Sequence, residues 1–403
     1  MRIKVQKDYF KYFIFAFLLL PPKIIAVIPS MNIMSNCITA CSVLMAFVLF
    51  CQEIIKSKKK TSMSMFIFII LIVWLEVVNL LHNSIGRNFL FEIIPAVGMA
   101  LLIDKVFRNS KEQIFLEAFG IYGTLIVILN LVSELLCGSD GIYHNWETSW
   151  QSIYLCGNAN SYVFFYLVVL SITIACAMYS KRWVVLSYII HLSMIWSNVI
   201  LGDSRSSTGL LIIVIALIFR LMSNHFIRNF LLKHYKYVVI GLCAVGVWFF
   251  VMNGWRSEWF LDFARTVLGE NVSLIARGTI WNNAMARIKL SPWLGYGTNA
   301  VNISADLDGV LRSAHNNYFE ISIMGGLPAL ALYILLIWSC IRKSSQKSEC
   351  SYMIFMCLTL NLVAFFVEQN PFYIGFYFLL WLYKNVTGGG TAYPEKAKKG
   401  TVI

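Results

Sequence analysis

Apolar runs of roughly 18 residues or more recur along the whole chain, and that is the length an α-helix needs to cross the hydrocarbon core of a bilayer. In lipid, backbone N–H and C=O groups must be paired within the protein, so an open sheet is excluded and helices are expected. Charged residues make up 13% of the chain, where a soluble protein carries about 25%. The expected fold is all-α, a polytopic transmembrane helix bundle of about twelve spans.

The spans read as Tyr12–Ile28, Ser35–Ile55, Met63–Leu81, Phe89–Val106, Ile114–Leu136, Tyr162–Met178, Trp183–Leu201, Thr208–Met222, Tyr237–Met252, Tyr318–Ile341, Tyr352–Val367 and Phe372–Leu382. This divides the chain into helices one to nine (1–252), a long outer loop (253–317), helices ten to twelve (318–386) and a Gly/Lys-rich tail (387–403) expected to be disordered. The basic start (Arg2, Lys4, Lys7, Lys11) resembles the first part of a secretory signal. The apolar run after it contains Pro21, Pro22 and Lys23 and no clear small-residue cleavage site, so it is read as an uncleaved first span.

A net charge of +13 invites a nucleic-acid reading. Lys and Arg gathered in cytoplasmic loops explain it better, and no nucleic-acid partner is expected. With the N-terminus inside, only Lys23, Arg87, Arg205, Arg256, Arg265, Arg277, Arg287, Lys289 and Arg312 of the 33 Lys and Arg lie on the outer side. An even number of spans with both termini inside follows. The ten cysteines fall mostly in apolar spans, where they pack as small hydrophobes; Cys137 and Cys156 flank the outer loop Gly138–Asn160 and are placed to pair across it. Glu76, Glu92 and Glu134 lie within spans, where they can line a polar cavity or pair with Arg87 or Lys23.

Most of the outer basic residues fall in the 253–317 loop, which is also rich in aromatics (Trp255, Trp259, Phe260, Trp281, Trp293, Tyr296) and is expected to lie on the interface. Within it Thr279–Leu290 reads as a short helix stopped before Pro292, with Ile280, Ala284 and Ile288 on one face; Arg277 shares a face with Trp281 if the helix starts early. Gly295-Tyr296-Gly297 reads as a tight turn.

Three polar constellations lie at span ends or in this loop. Asp203-Ser204-Arg205 sits between spans seven and eight, and Arg277-Gly278-Thr279-Ile280-Trp281 opens the loop helix. His315-Asn316-Asn317, with Glu320 beyond, leads into span ten. Each has an ordinary explanation: an interfacial Arg paired with Asp203, an Arg touching lipid phosphate, and an Asn helix cap beside an interfacial His. Taken together, outward arginines suit a lipid-linked phosphate or pyrophosphate, because the planar guanidinium grips phosphate with two N–H groups. His315 can hold or pass a proton near neutral pH. Asp306 and Asp308 are close together, but nothing nearby completes a metal-ligand set, and no metal or cofactor is expected. His144, Trp146, Glu147 and Trp150 form an aromatic-belt segment that could also stack on sugar.

Ser204-Arg205 before an apolar span, Arg277-x-x-x-Trp281 leading to Pro292 and Gly295-x-Gly297, and His315-Asn316 followed by Gly325-Gly326-Leu327 together resemble the O-antigen polymerase and O-antigen ligase superfamily. The resemblance covers about Leu201–Leu332 by motif and the whole chain by span count. At Ala314 this chain departs from the pattern, in which Pro is common. The resemblance implies a metal-independent glycosyltransferase in the bacterial plasma membrane, multi-pass with both termini cytoplasmic, working on the outer face with a glycan donor on undecaprenyl pyrophosphate. Arg205 and Arg277 would grip the pyrophosphate, and His315 would orient or deprotonate the acceptor hydroxyl. Asn316, Asn317, Trp281, Arg287 and Arg312 would contact substrate. A chain-length regulator or a flippase is the implied protein partner.

A polymerase, with a second lipid-linked repeat unit as acceptor, is the favoured reading. A ligase acting on lipid A–core is the alternative within the class, and a polysaccharide flippase is the alternative outside it. A flippase should show two related halves, which this chain lacks. On the transferase reading Arg277→Ala abolishes polymer, since loss of one donor to a developing charge costs about 3–4 kcal/mol. Arg277→Lys, which lacks the two-pronged fork, restores little of it. Gel analysis of the glycan checks both, and full activity with normal chain length in Arg277→Lys would contradict pyrophosphate clamping by this residue.

Overall fold

The structure is a computed structural model that describes residues 7–56, 62–83, 86–144, 152–158, 161–201, 207–221, 225–246, 248–249, 256–266, 273–300, 304–305, 311–342, 349–366 and 368–387. Arg205 and its neighbours, Trp146 to Trp150, Asp306, Asp308 and the tail lie outside the described residues, as does the side chain of Arg312.

Helices coincide closely with the apolar segments. They are α1 (Lys7–Leu19), α2 (Ile24–Val27), α3 (Asn32–Lys56), α4 (Met63–Leu81), α5 (Arg87–Arg108), α6 (Glu112–Cys137), α7 (Tyr162–Ala177) and α8 (Arg182–Leu201). After them come α9 (Ser207–Leu221), α10 (His225–Lys233), α11 (Tyr235–Gly246), α12 (Glu258–Thr266) and α13 (Ser273–Leu290). The series ends with α14 (Asn317–Ile341), α15 (Glu349–Ala364) and α16 (Ile374–Thr387). Apart from isolated bridges, extended structure among the described residues is one antiparallel ladder of two-residue strands, β1 (Ser304–Ala305) and β2 (Leu311–Arg312). Among the described residues four helical stretches are long and apolar enough to cross a membrane: Pro29–Glu53, Met63–Leu81, Glu112–Cys137 and Asn317–Ile341.

The first segment departs from the expected single span. Pro21 and Pro22 cannot donate to a helix and clash with the preceding turn, so α1 stops at Leu19 and the chain restarts as α2. The carbonyls this exposes find side-chain donors: Tyr122 Oη donates to Leu20 O at 2.7 Å and Ser42 Oγ to Leu18 O at 2.6 Å. Lys23 sits in the break. The loop helix α13 begins six residues earlier than expected, at Ser273, and ends where Pro292 requires. Cys137 and Cys156 are both free thiols.

Burial shows how the bundle is layered. α7 and most of α15 and α16 are buried on every side (Tyr162–Cys176, Ser351–Leu358, Phe376–Tyr383) and form the centre. α6 is apolar on both faces: Phe119, Val127, Asn130 and Glu134 point inward, while Ile121, Leu125, Ile128, Val132 and Leu135 are exposed. An apolar stripe left outside a helix that already has a buried face is suited to lipid. Asn130 unites the inner polar groups, donating to Glu134 at 2.6 Å and Tyr166 at 3.0 Å. Glu134 therefore belongs to this network.

The two ends of the bundle differ in charge. At one end Arg108 meets Glu53 at 2.6 Å, Lys111 meets Asp8 at 2.6 Å, and Lys384 meets Asp104 at 3.2 Å. The start of α1 and the end of α16 lie at this basic end. The opposite end carries the break after α1, the starts of α14 and α16, and α13.

There α14 is broken. Gly325 and Gly326 leave helical geometry, with Gly326 at φ +70°, ψ −173°. A broken helix is tolerated at membrane depth only if protein satisfies the freed backbone groups. The 292–297 turn does so: Tyr296 N donates to Ile323 O (2.8 Å), Gly297 N to Met324 O (2.9 Å), and Leu327 N to Pro292 O (2.7 Å). Trp74 Nε1 takes Gly325 O at 2.7 Å. The end of α4 holds the same turn, because Asn79 Oδ1 accepts from Thr298 N at 2.7 Å and His82 Nε2 lies 3.1 Å from Gly295 O. A Cβ on Gly326 would lie 2.4 Å from Trp293 O, in a region of φ/ψ that is essentially Gly-only. Gly326→Ala should therefore destabilise by about 1–3 kcal/mol. Thermal unfolding in detergent checks this against Gly241→Ala, which meets open space in α11 and should be close to neutral.

Candidate functional site

α13 presents one inward face. Arg277, Trp281, Ala284 and Ile288 follow helical spacing, and the last three are buried with Ile280. Trp281 packs with Ala314, Phe319 and Ile323, and its ring meets Phe249 at 5.7 Å. The indole expected to contact substrate is thus buried between α13 and α14. One turn earlier on the same face, Arg277 Nη2 lies 3.4 Å from Glu368 Oε1. That is long for a charge-assisted bond, which normally closes to about 2.7–2.9 Å. Arg287 is exposed on the outer side of α13, and its carbonyl accepts from Tyr296 Oη at 2.9 Å.

The start of α14 is tied to the same stretch of chain. Asn316 caps the helix, its Oδ1 accepting from Tyr318 N (2.9 Å) and Phe319 N (3.1 Å), and its Nδ2 donates to Phe366 O at 2.9 Å. Asn317 Oδ1 accepts from Asn370 N, and Asn317 N donates to Phe365 O at 2.9 Å. Both asparagines are fully buried, and their oxygens serve protein N–H groups. His315 immediately precedes the cap with φ +46°, a left-handed conformation uncommon for a residue with a Cβ. Arg277, through Glu368, and the two asparagines that follow His315 therefore all bond to one segment, 365–370.

Ala314 explains how that strained backbone is held. Its N–H donates to Glu320 Oε1, one turn into α14. Proline, common at this position in the superfamily the chain resembles, has no N–H to give. Here a carboxylate–amide bond fixes the residue before His315 in place of a pyrrolidine ring.

Glu368 was not singled out by sequence reasoning. Burial raises its carboxyl above the usual range, while the cations of Arg277 and Lys23 draw it back. Lys23, left in the Pro21-Pro22 break, is thus a second cation acting on the carboxylate that faces Arg277. The sequence signal was Glu368-Gln369-Asn370, a polar run between two apolar segments.

Two adjoining cavities lie behind this segment. One, of about 380 Å³, is lined by polar groups including Glu92, Thr298, Glu320 and Asn370. The other, of about 310 Å³, shares Glu92, Asn370 and Phe372 with it and runs along an apolar wall to Lys23. The arrangement offers guanidinium and ammonium groups for an anion, an imidazole for a proton, and a polar hollow beside them.

Residues 190–334 match the family described as O-antigen ligase. No curated protein matches the chain. The matched stretch contains Arg277, Trp281, Ala314 and His315; Lys23, Glu92 and Glu368 lie outside it.

The Ala314–Glu320 bond gives a direct test. Ala314→Pro strands both oxygens of a buried carboxylate and should cost about 1–3 kcal/mol of stability. Removing that carboxylate as well, in Ala314→Pro with Glu320→Leu, should recover part of the loss. Strict additivity of the two changes in thermal unfolding would contradict the coupling.

Proposed function

Starting from a membrane protein with an O-antigen ligase family stretch, we propose that the chain is a polysaccharide polymerase. It transfers a glycan chain from undecaprenyl pyrophosphate onto another lipid-linked repeat unit on the outer face of the plasma membrane. The observation that carries this is that Arg277, through Glu368, and Asn316 and Asn317, the two residues after His315, all bond to the 365–370 segment, at the end of the bundle opposite the Lys105, Arg108, Lys111 and Lys384 cluster. The positive-inside rule assigns that cluster, and with it both termini, to the cytoplasm. The site then opens on the outer leaflet side, where a lipid-linked donor presents its headgroup.

In the proposed reaction the acceptor hydroxyl oxygen attacks the anomeric carbon of the donor sugar. The bond from that carbon to the phosphate oxygen breaks, and its electron pair leaves with undecaprenyl pyrophosphate. His315 takes the hydroxyl proton. Arg277 stabilises the leaving charge as it develops, joined by Arg205 and Lys23, in the place a metal ion would hold in a metal-dependent transferase. Glu368 keeps Arg277 oriented before the donor arrives and yields it to the pyrophosphate. Trp281, Asn316 and Asn317 act by shaping this site, while Arg287 and Arg312 are assigned to contacts with glycan or lipid headgroup.

The family description favours a second reading, a ligase that delivers the glycan to lipid A–core. Deletion of the gene separates the two: single repeat units at the surface follow from loss of a polymerase, and long lipid-linked chains with bare core follow from loss of a ligase.

Purified protein in detergent, given undecaprenyl-pyrophosphate-linked repeat units, should build a ladder of products with no membrane gradient and with a chelator present. His315→Ala should lower the rate by about 10²–10⁴-fold, the range of general-base catalysis. A ladder unchanged in His315→Ala, or one that needs an added metal, would contradict the mechanism.

A further inference from the structure

Most of the polar hollow is left without a task by the transfer chemistry. Glu92 and Glu320 both line it, with Asn370, Gln369, Thr298 and Asn299. Glu92 projects from α5 into this space and into the adjoining cavity. An ionisable side chain within an apolar helix is costly unless it serves a site. Glu320 has no residual surface exposure, and only its Oε1 is used by Ala314. Its Oε2 has no partner among the described residues, which leaves a buried acceptor on a residue that lines the hollow.

We propose that this hollow binds the acceptor saccharide, with Glu92 and Glu320 accepting hydrogen bonds from its hydroxyls. The inference rests on the transferase reading and adds to it the place and chemistry of the second substrate. Among the described residues no arginine lines the space, and two carboxyl groups offer a pyrophosphate no counter-charge, so the donor's leaving group is not assigned to it. Carboxylates and carboxamides suit a neutral polyol: the former accept hydroxyl protons, and the latter both give and accept. The volume falls in the usual range for small-molecule sites of about 300–1,000 Å³.

The position fits as well. Glu320 joins the hollow to the backbone N–H just before His315. Glu92 and Asn370 lie outside the family-matched stretch, whereas Arg277 and His315 lie within it. Thr298, Asn299 and Glu320 of the hollow lie within it too.

The test uses the full-length protein in detergent and, as probe, the free repeat-unit oligosaccharide released from its lipid carrier. Wild type should bind it, and the oligosaccharide should inhibit polymerisation competitively. Glu92→Leu should weaken binding about 10–100-fold, the loss of a hydrogen bond to a charged group, and Glu92→Gln should retain part of it. Thermal stability and binding of undecaprenyl pyrophosphate should be unchanged in both. Oligosaccharide binding with the same dependence on Glu92, but with no transfer, supports the site and overturns the transferase reading. Transfer with unchanged acceptor KM and unchanged oligosaccharide binding in Glu92→Leu overturns the site and leaves the transferase standing. Loss of undecaprenyl pyrophosphate binding in Glu92→Leu also overturns it, because the hollow would then serve the donor.

Discussion

A helix broken inside a membrane has to hand its freed backbone groups to another piece of the protein, and this requirement organises the site. The Gly325-Gly326 break in α14 releases the carbonyls of Ile323, Met324 and Gly325, and the 292–297 turn and Trp74 take them up. That joint sets the end of α13 against α14. It thereby fixes the face on which Arg277, Trp281 and Ala284 lie, and it leaves the first turn of α14 free to be capped by Asn316. The glycines of this region are spacers for backbone-to-backbone contact, and the chemistry is carried by the side chains they bring together.

Opposed requirements meet within a short distance. His315 has a left-handed backbone, Glu320 is a buried carboxylate, and Arg277 is a partly buried cation; each alone is unfavourable. They are tolerated because each answers another: Glu320 holds Ala314, Asn316 and Asn317 hold the 365–370 segment, and Glu368 on that segment faces Arg277. Ala314 uses an N–H that proline lacks to bond the carboxylate one turn away.

Much of the helix pattern could be read from the chain. Met63–Leu81 was placed to the residue, and most other apolar segments were placed within a few residues, because long apolar runs admit little but helix. The inward stripe Ile280, Ala284, Ile288 and the placing of Trp281 on Arg277's face followed from period alone. The break at Pro21-Pro22 was visible in the residues but was outweighed by the apolar run around it. The site was only half legible. Arg277 draws notice because basic residues are few on the outer side, and His315 because it opens a polar run that leads into a span. Glu368, Lys23 and the use of Glu320 depend on contacts between segments far apart in sequence, which no local pattern encodes. Asn316 shows the converse: its helix-capping role was the ordinary explanation, and the geometry gives its side chain that role.

The account turns on where the diphosphate of the lipid carrier sits. The most direct measurement is a cryo-electron microscopy structure of the protein in a lipid nanodisc with undecaprenyl pyrophosphate bound. The expected density has the diphosphate against Arg277 at the α13–α14 end, with the Glu368 carboxylate displaced from the guanidinium. A diphosphate seated elsewhere, whether at the Lys105–Lys111 end of the bundle or among the carboxylates of the polar hollow, with Arg277 and Glu368 undisturbed, would contradict it.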